Sequence, residues 1–438
     1  MTDIEQHLTG SMRSADPAGF QLLDPHQPQL AVTAADADDV VAAVRYAAER
    51  GLALAVQATG HGRTTGLRGG VLIATSEMTG VHIDPAERTA WVAAGATWRH
   101  VIEAAAPHGL APLSGSSPGV GAVSYTLSGG IGLLARAYGF AADHVRRIEL
   151  VTVDGQRRIV GAGSDPELFW AQRGGGGNFG VVTGIEIELV PLRELYGGGL
   201  FVEVERRPDV LARWAEWTET VPEEMTSAVS MLQYPDLPFV PEELRGRYVA
   251  NLQIAYAGPA EPAERCLAPL RALDPFRDTL RTLPFTESGH VFAEPDHPHP
   301  YRSQNRLLRR LPAPELARLT EIAGPAAPVM SIVGIRHLGG ALRREPAVAN
   351  AVGHREAEYS LTVLSPVAPE QGETAERLHT KAVDLFAAHA FGPSLNFSYG
   401  PLPDAQIRAA FDPGVADRLA GLRNRLDPDR LIRVNHPL

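Results

Sequence analysis

The pattern of apolar and polar positions changes texture near residue 194. Before that point helix and strand periods alternate. Over 35–50, Val40, Val41, Val44 and Ala47 recur at helical spacing, and Asp36 and Asp38 sit where carboxylates complement the helix dipole. A short apolar run over 52–57 predicts a buried strand that feeds Thr59-Gly60-His61-Gly62. Residues 71–74 predict another strand. Residues 81–83 and 89–94 flank the turn Asp84-Pro85-Ala86-Glu87 and predict a hairpin. A helix over 97–108 ends near Gly109. A second hairpin joins 148–153 to 157–161 through Asp154-Gly155, a pair that supplies the positive φ of such turns. A short helix over 165–173 opens on Asp165-Pro166. The run Gly174-Gly175-Gly176-Gly177-Asn178-Phe179-Gly180 then leads into a strand over 181–190.

Beyond 194, Gly197-Gly198-Gly199 precedes a strand over 200–205. Helices are expected over 210–220, 262–273 and 376–388, and strands over 226–233, 249–256, 331–337 and 359–363. Residues 306–310, with Arg306, Arg309 and Arg310, read as a solvated helix face. Pro295–Pro300 reads as a proline-broken loop, and the chain from about Pro403 as helical. No internal repeat is visible. The expected fold class is α+β, with a mostly antiparallel sheet in the second part.

Length and composition refine this picture. A chain of 438 residues exceeds one ordinary core and suggests two domains, one built from separated segments. With 44% hydrophobic and 21% charged residues it fits a soluble globular protein. The net charge of −11 argues against a nucleic-acid partner, which calls for a basic stripe. Cys266 is the lone cysteine, so no intrachain disulfide forms, as suits a reducing cytoplasm. Met1–Asp16 is polar without an apolar leader core, and no apolar run has the length of a membrane span. The expectation is a cytoplasmic protein without membrane or nucleic-acid partners. His297 and His299 lie among prolines without the convergent ligands a metal requires.

Two glycine motifs suggest specific chemistry. Gly175-x-Gly177-x-x-Gly180 fits the dinucleotide fingerprint, but that motif needs a strand before it and a helix after it, the reverse of the order expected here. Gly115-x-Ser117-x-Gly119 fits the nucleophile elbow of hydrolases, but Pro118-Gly119-Val120-Gly121 begins a helix poorly. Loops of small residues also let backbone N–H groups approach an anion. His61 between glycines is either a ligand-facing residue or an ordinary polar loop residue.

Residues Leu30 to Pro191 resemble the FAD-binding domain (PCMH type) of the berberine bridge enzyme-like branch of the vanillyl-alcohol oxidase superfamily. Ala55-Val56-Gln57-Ala58-Thr59-Gly60-His61-Gly62 resembles that family's first flavin loop. Gly115-Ser116-Ser117-Pro118-Gly119-Val120-Gly121 and Tyr125-Thr126-Leu127-Ser128-Gly129-Gly130 resemble its second. Arg173 to Thr183 is close to a family signature, and Leu426 to His436 is similar to its flavin-closing tail. The middle of the chain is similar only loosely, through segments such as Arg336-His337-Leu338-Gly339-Gly340.

The resemblance implies an FAD domain from 1–194 and 396–438, with a PCMH-type core over about 25–192, and a substrate domain over 195–395. It implies FAD held by Ala58, Thr59, Gly60, Gly62, Gly115, Ser116, Ser117, Gly121, Tyr125, Gly180, Val182 and Asn435, and bonded covalently to His61. Family members with two flavin bonds carry a cysteine where this chain has Ser117, so a single bond is expected. Family tyrosines are replaced by Ser394, in Ser394-Leu395-Asn396, and by Ile131. The catalytic base is therefore unassigned. Tyr234, Tyr256, His290, His337, His354 and Tyr399 are candidates, and Arg336 a candidate for binding an anionic or carbonyl group. Each has an equally plain structural role on a partly buried sheet or in an ion pair.

The implied activity is oxidation of a small alcohol, sugar or secondary metabolite by an FAD oxidase or dehydrogenase, with O₂ or another electron acceptor. A cyclisation or other non-oxidative step on the same fold, and hydrolysis through Ser117, are the alternatives.

Overall fold

The computed structural model describes residues 4, 8–13 and 19–438; Met1–Asp16 falls largely outside them. Among the described residues the strands form three sheets. The first joins Leu30–Thr33, Val71–Ala74 and Leu54–Gln57 in parallel, with Ser11–Arg13 antiparallel at one edge. Its inner strands are buried throughout and are covered by the helix Ala37–Glu49. That helix is capped by Asp36, whose side chain accepts from the N–H groups of Asp38 and Asp39. The free edge is met by the C-terminal tail: Leu54 N–H donates to Leu431 O at 2.8 Å and Arg433 N–H to Leu54 O at 2.7 Å.

The second sheet is antiparallel and contains both expected hairpins, Val81–Asp84 with Thr89–Ala93 and Val145–Val151 with Arg157–Gly161. Val181–Glu188 joins them at the centre. The helices Trp98–Ala105, Ala122–Leu127 and Pro166–Gly175 pack into the same core as this sheet.

The third sheet draws on Glu194–Glu203, Met225–Gln233, Tyr248–Tyr256, Tyr301–Leu308, Ile332–His337 and Tyr359–Pro366, all antiparallel to their neighbours. One face packs on the helices Val210–Thr218, Ala260–Arg271, Ala313–Ile322 and Gly372–Asp384. The other face turns toward the first two sheets.

Two segments differ from expectation. Residues 306–310 are not a helix face: Arg306 lies within the strand Tyr301–Leu308, and Arg309 and Arg310 follow it. Arg309 stacks on Phe391 and Arg310 donates to His389, so these cations are spent inside the chain. The strand escapes detection because its inward residues, Ser303 and Asn305, are polar. They are buried on partners from Ser394 to Ser398. The glycines 197–199 lie within a strand, which starts at Glu194. A Cβ at Gly199 would fall 2.2 Å from Asn251 Oδ1, so the gap admits the neighbouring strand's amide.

Candidate active site

A cavity of about 1460 Å³ lies between the third sheet and the loops of the first two. Sites for single small molecules usually measure ~300–1,000 Å³, so this one has room for a dinucleotide and a second molecule.

The first loop follows directly from the strand Leu54–Gln57. His61 is stacked on Phe20, with ring centroids 3.8 Å apart and planes 12° apart. Its Nδ1 shares a hydrogen bond with the Thr59 hydroxyl at 2.8 Å, and its main-chain carbonyl accepts from the Tyr301 hydroxyl. Its Nε2 is buried and has no hydrogen-bond partner among the described residues. Burial first, and the neighbouring His299 second, lower its pKa to about 4. At neutral pH the ring is therefore an uncharged base with one free nitrogen.

The glycine run forms the opposite wall. Gly174 has φ +118°, and a Cβ there would lie 2.5 Å from Val352 N. Arg173 is buried and donates to Phe169, Val348 and Ala349 carbonyls, which fixes this turn. Asn178 ties the run to the tail. Its amide donates to Gly175 O at 2.8 Å, and its carbonyl accepts from Leu438 N–H at 3.3 Å. Asn435 ties the tail to the first loop, donating to Gly62 O at 2.7 Å and accepting from Thr64 N–H at 3.1 Å. Two side-chain amides thus join three segments that lie far apart in sequence.

Of the residues expected to hold a cofactor, Ala58, Thr59, Gly60, His61, Gly62, Gly115, Ser116, Ser117, Tyr125, Gly180, Val182 and Asn435 line the cavity. Gly121 does not. It caps the helix Ala122–Leu127 from behind, where a Cβ would meet Ser124, Ala58 and Thr59. The remaining candidates separate cleanly. Tyr234, Arg336 and Tyr399 face the cavity. Tyr256 is buried in the core behind the third sheet, and His337 is enclosed by Arg136 and Tyr359. His290 is exposed beside Glu287. His354 bonds Ala409 O and borders only a small hollow elsewhere. Ser394, at the position of a family tyrosine, bonds Asn305 through its backbone, while Ile131 lines the cavity. Ser117 has no strand feeding it, and the next helix starts five residues on, so the hydrolase elbow is absent. Gly175 ends a helix and a strand follows Gly180, so the dinucleotide fingerprint is also in the wrong order.

Sequence reasoning missed Glu294. It stands directly before the proline-broken loop and accepts from the Ser116 hydroxyl at 2.8 Å. Arg336 donates to Ser116 Oγ at 3.1 Å and lies 3.6 Å from Glu294. Its guanidinium sits over Phe292 and Phe397, at 4.5 and 5.1 Å from the ring centres. Tyr399 faces the same spot, its phenol pushed up to about 12 by burial first and by Glu294 second. No signal in the sequence marks Glu294, because the contact spans nearly two hundred residues.

These residues fit a flavin dinucleotide. Cβ atoms at Gly62 and Gly177, both on the cavity wall, would meet nothing nearer than 3.8 Å, so two loops present bare backbone there. His61, Tyr125 and His436 line the cavity, and each has a buried polar atom (Nε2, Oη and Nδ1) without a partner among the described residues.

Comparison with known proteins points the same way. Residues 28–161 match the model of an FAD-binding domain family. (R)-6-hydroxynicotine oxidase of Paenarthrobacter nicotinovorans is 28% identical, over 98% of this chain and 96% of its own. Xylooligosaccharide oxidase from Myceliophthora thermophila C1 superposes with a TM-score of 0.85 at 21% identity, covering 100% of this chain and 99% of that one. Berberine bridge enzyme from Eschscholzia californica superposes with a TM-score of 0.81 at 17% identity, covering 97% and 93%.

Proposed function

We propose that this chain, an FAD-dependent oxidoreductase with the fold of berberine bridge enzyme, holds its FAD by one covalent bond to His61 and oxidises a small organic substrate on the third-sheet side of the cavity. When bound, the flavin supplies a two-electron acceptor for a substrate C–H, and O₂ or another acceptor then reoxidises it. The remaining tasks fall to side chains. Thr59 and Phe20 hold the His61 ring, and Tyr301 fixes its backbone. The bare loops around Gly62 and Gly177 would offer N–H groups to the cofactor's phosphates and ring edges. Asn435 and Asn178 close the tail over it. Glu294, Arg336 and Tyr399 form the polar cluster available to take or place the substrate's proton. In this reading 1–194 and 396–438 bind the cofactor, and 195–395 bind substrate.

The observation behind the covalent bond is the neutral His61 ring on the cavity wall, whose buried Nε2 has no hydrogen-bond partner among the described residues. Acid precipitation tests it. The expected outcome is a yellow pellet for the parent protein and a colourless one for His61→Ala; a colourless parent pellet overturns the covalent bond. Anaerobic bleaching of the flavin by substrate separates oxidation from a non-oxidative cyclisation, in which the flavin stays yellow throughout turnover.

A further inference from the structure

Strand register arranges the cavity-facing side of the third sheet into rows. Alternate residues share a face, so Met330, Ile332, Gly334 and Arg336 all point into the cavity, as do Ser230, Leu232 and Tyr234. Pairing then sets the rows. Arg336 lies beside Ala228, which lies beside Gln253. The next row is Asn251, Ser230, Gly334 and Thr362. The next is Leu232, Ile332 and Leu364. Polarity therefore falls steadily along the strands. The innermost row carries the guanidinium that bonds Ser116, and the middle row carries neutral hydroxyls and an amide. The outer row is wholly aliphatic. Beyond it Met330 is 41% and Phe239 81% exposed, and the phenol of Tyr234 is the polar group on that face. Four residue steps at ~3.3 Å each put the outer row roughly 13 Å from the innermost.

Gly334 leaves a notch in the middle row. A Cβ there would meet only Thr362 O, at 3.9 Å, and its φ is not in the left-handed range. The position is not glycine for backbone reasons; the missing side chain is simply space. An oligosaccharide would bury hydroxyls along its whole length, and the outer row offers them no partner, a cost of ~1–3 kcal/mol for each stranded group. A flat apolar ring body meets no such cost.

We propose that the substrate is an amphiphile: a ring-bearing apolar body lying along Met330, Ile332 and Leu364 and into the notch at Gly334, with one hydrogen-bonding end at Arg336 and Glu294. The proposal rests on the oxidoreductase reading and names the substrate class of that same site. It separates this chain from the sugar-oxidising structure whose fold it shares.

The test uses the full-length, flavin-loaded protein titrated with naphthol and, separately, with xylobiose. The readouts are the shift in the visible flavin spectrum and the ligand-dependent Tm. Naphthol is expected to shift both saturably and xylobiose neither. Gly334→Leu is expected to weaken naphthol by about tenfold or more, with the unliganded Tm and the flavin spectrum unchanged. Ile332→Thr, which keeps the branched shape but adds a hydroxyl to the outer row, is expected to weaken it less. Saturable binding of xylobiose, no binding of naphthol, or naphthol affinity unchanged in both variants overturns the proposal. A purified protein without flavin absorbance overturns the oxidoreductase reading instead, so the two failures are distinguishable.

Discussion

The two walls of the cavity are built by opposite means. The wall proposed to hold the cofactor is made of loops, and its working parts are mostly absent side chains: glycines at 62 and 177 that leave backbone bare, and glycine at 174 that no other residue can replace without strain. The wall proposed to meet the substrate is a sheet face, and its working parts are side chains set in rows by strand pairing. Loop geometry is written in consecutive residues. Row chemistry exists only once four strands are in register. The first kind of wall is intolerant of added atoms, and the second of lost or altered ones.

Four experiments press on that contrast, from the largest effect down. His61→Ala is expected to abolish covalent flavin completely, while Arg336→Met on the opposite wall keeps a yellow acid pellet; equal loss in both would join the walls into one unit. Gly174→Ala is expected to cost about 3 kcal/mol of stability, from forced positive φ and a backbone clash. Gly334→Ala, with open space at its Cβ, is expected to leave the denaturation midpoint in urea unchanged. A similar loss at both glycines would erase the distinction between conformation and room.

Asn435→Ala is expected to lose ~1–2 kcal/mol, since it strands Gly62 O and Thr64 N–H where the tail meets the first loop. Asn251→Ala on the sheet wall is expected to lose less, its carbonyl having no hydrogen-bond partner among the described residues. Urea denaturation compares the pair.

The smallest effect is on pH dependence. His26 and His436 near the cofactor wall, and His379 behind the sheet, are each held down to about 4, by burial first. A histidine neutral in the fold and free to protonate when unfolded contributes stability that is full above pH 6.5. That stability is lost as pH falls from 6.5 toward about 4. Tm is therefore expected to decline across that window, before most carboxylates titrate, and His379→Gln to flatten part of the decline.

Much of the cofactor wall was legible in the chain. The hairpin over 81–94, the turn at Asp154-Gly155, the helix after Asp36 and all three glycine loops appear where the residues indicate, because each depends on neighbours within a few positions. The substrate wall was legible only as separate strands. Tyr301–Leu308 went unrecognised since its buried positions, Ser303 and Asn305, are polar and are satisfied by residues ninety positions away. Arg336 and Tyr399 could be named but not ranked above Tyr256 or His354. Nothing local says which of these side chains meet one cavity.

By itself, then, the sequence determined the small-residue loops of the cavity wall, the histidine in the first of them, and the absence of a thiol at Ser117. Those are matters of backbone freedom and residue chemistry over short spans. Tertiary structure alone decided that Glu294 joins Ser116 and Arg336, that Asn435 and Asn178 bind the tail to both loops, and that polarity fades from Arg336 to Met330. Each of these is a contact between segments that the chain keeps far apart, and such contacts are fixed only when sheet register and packing bring the segments together.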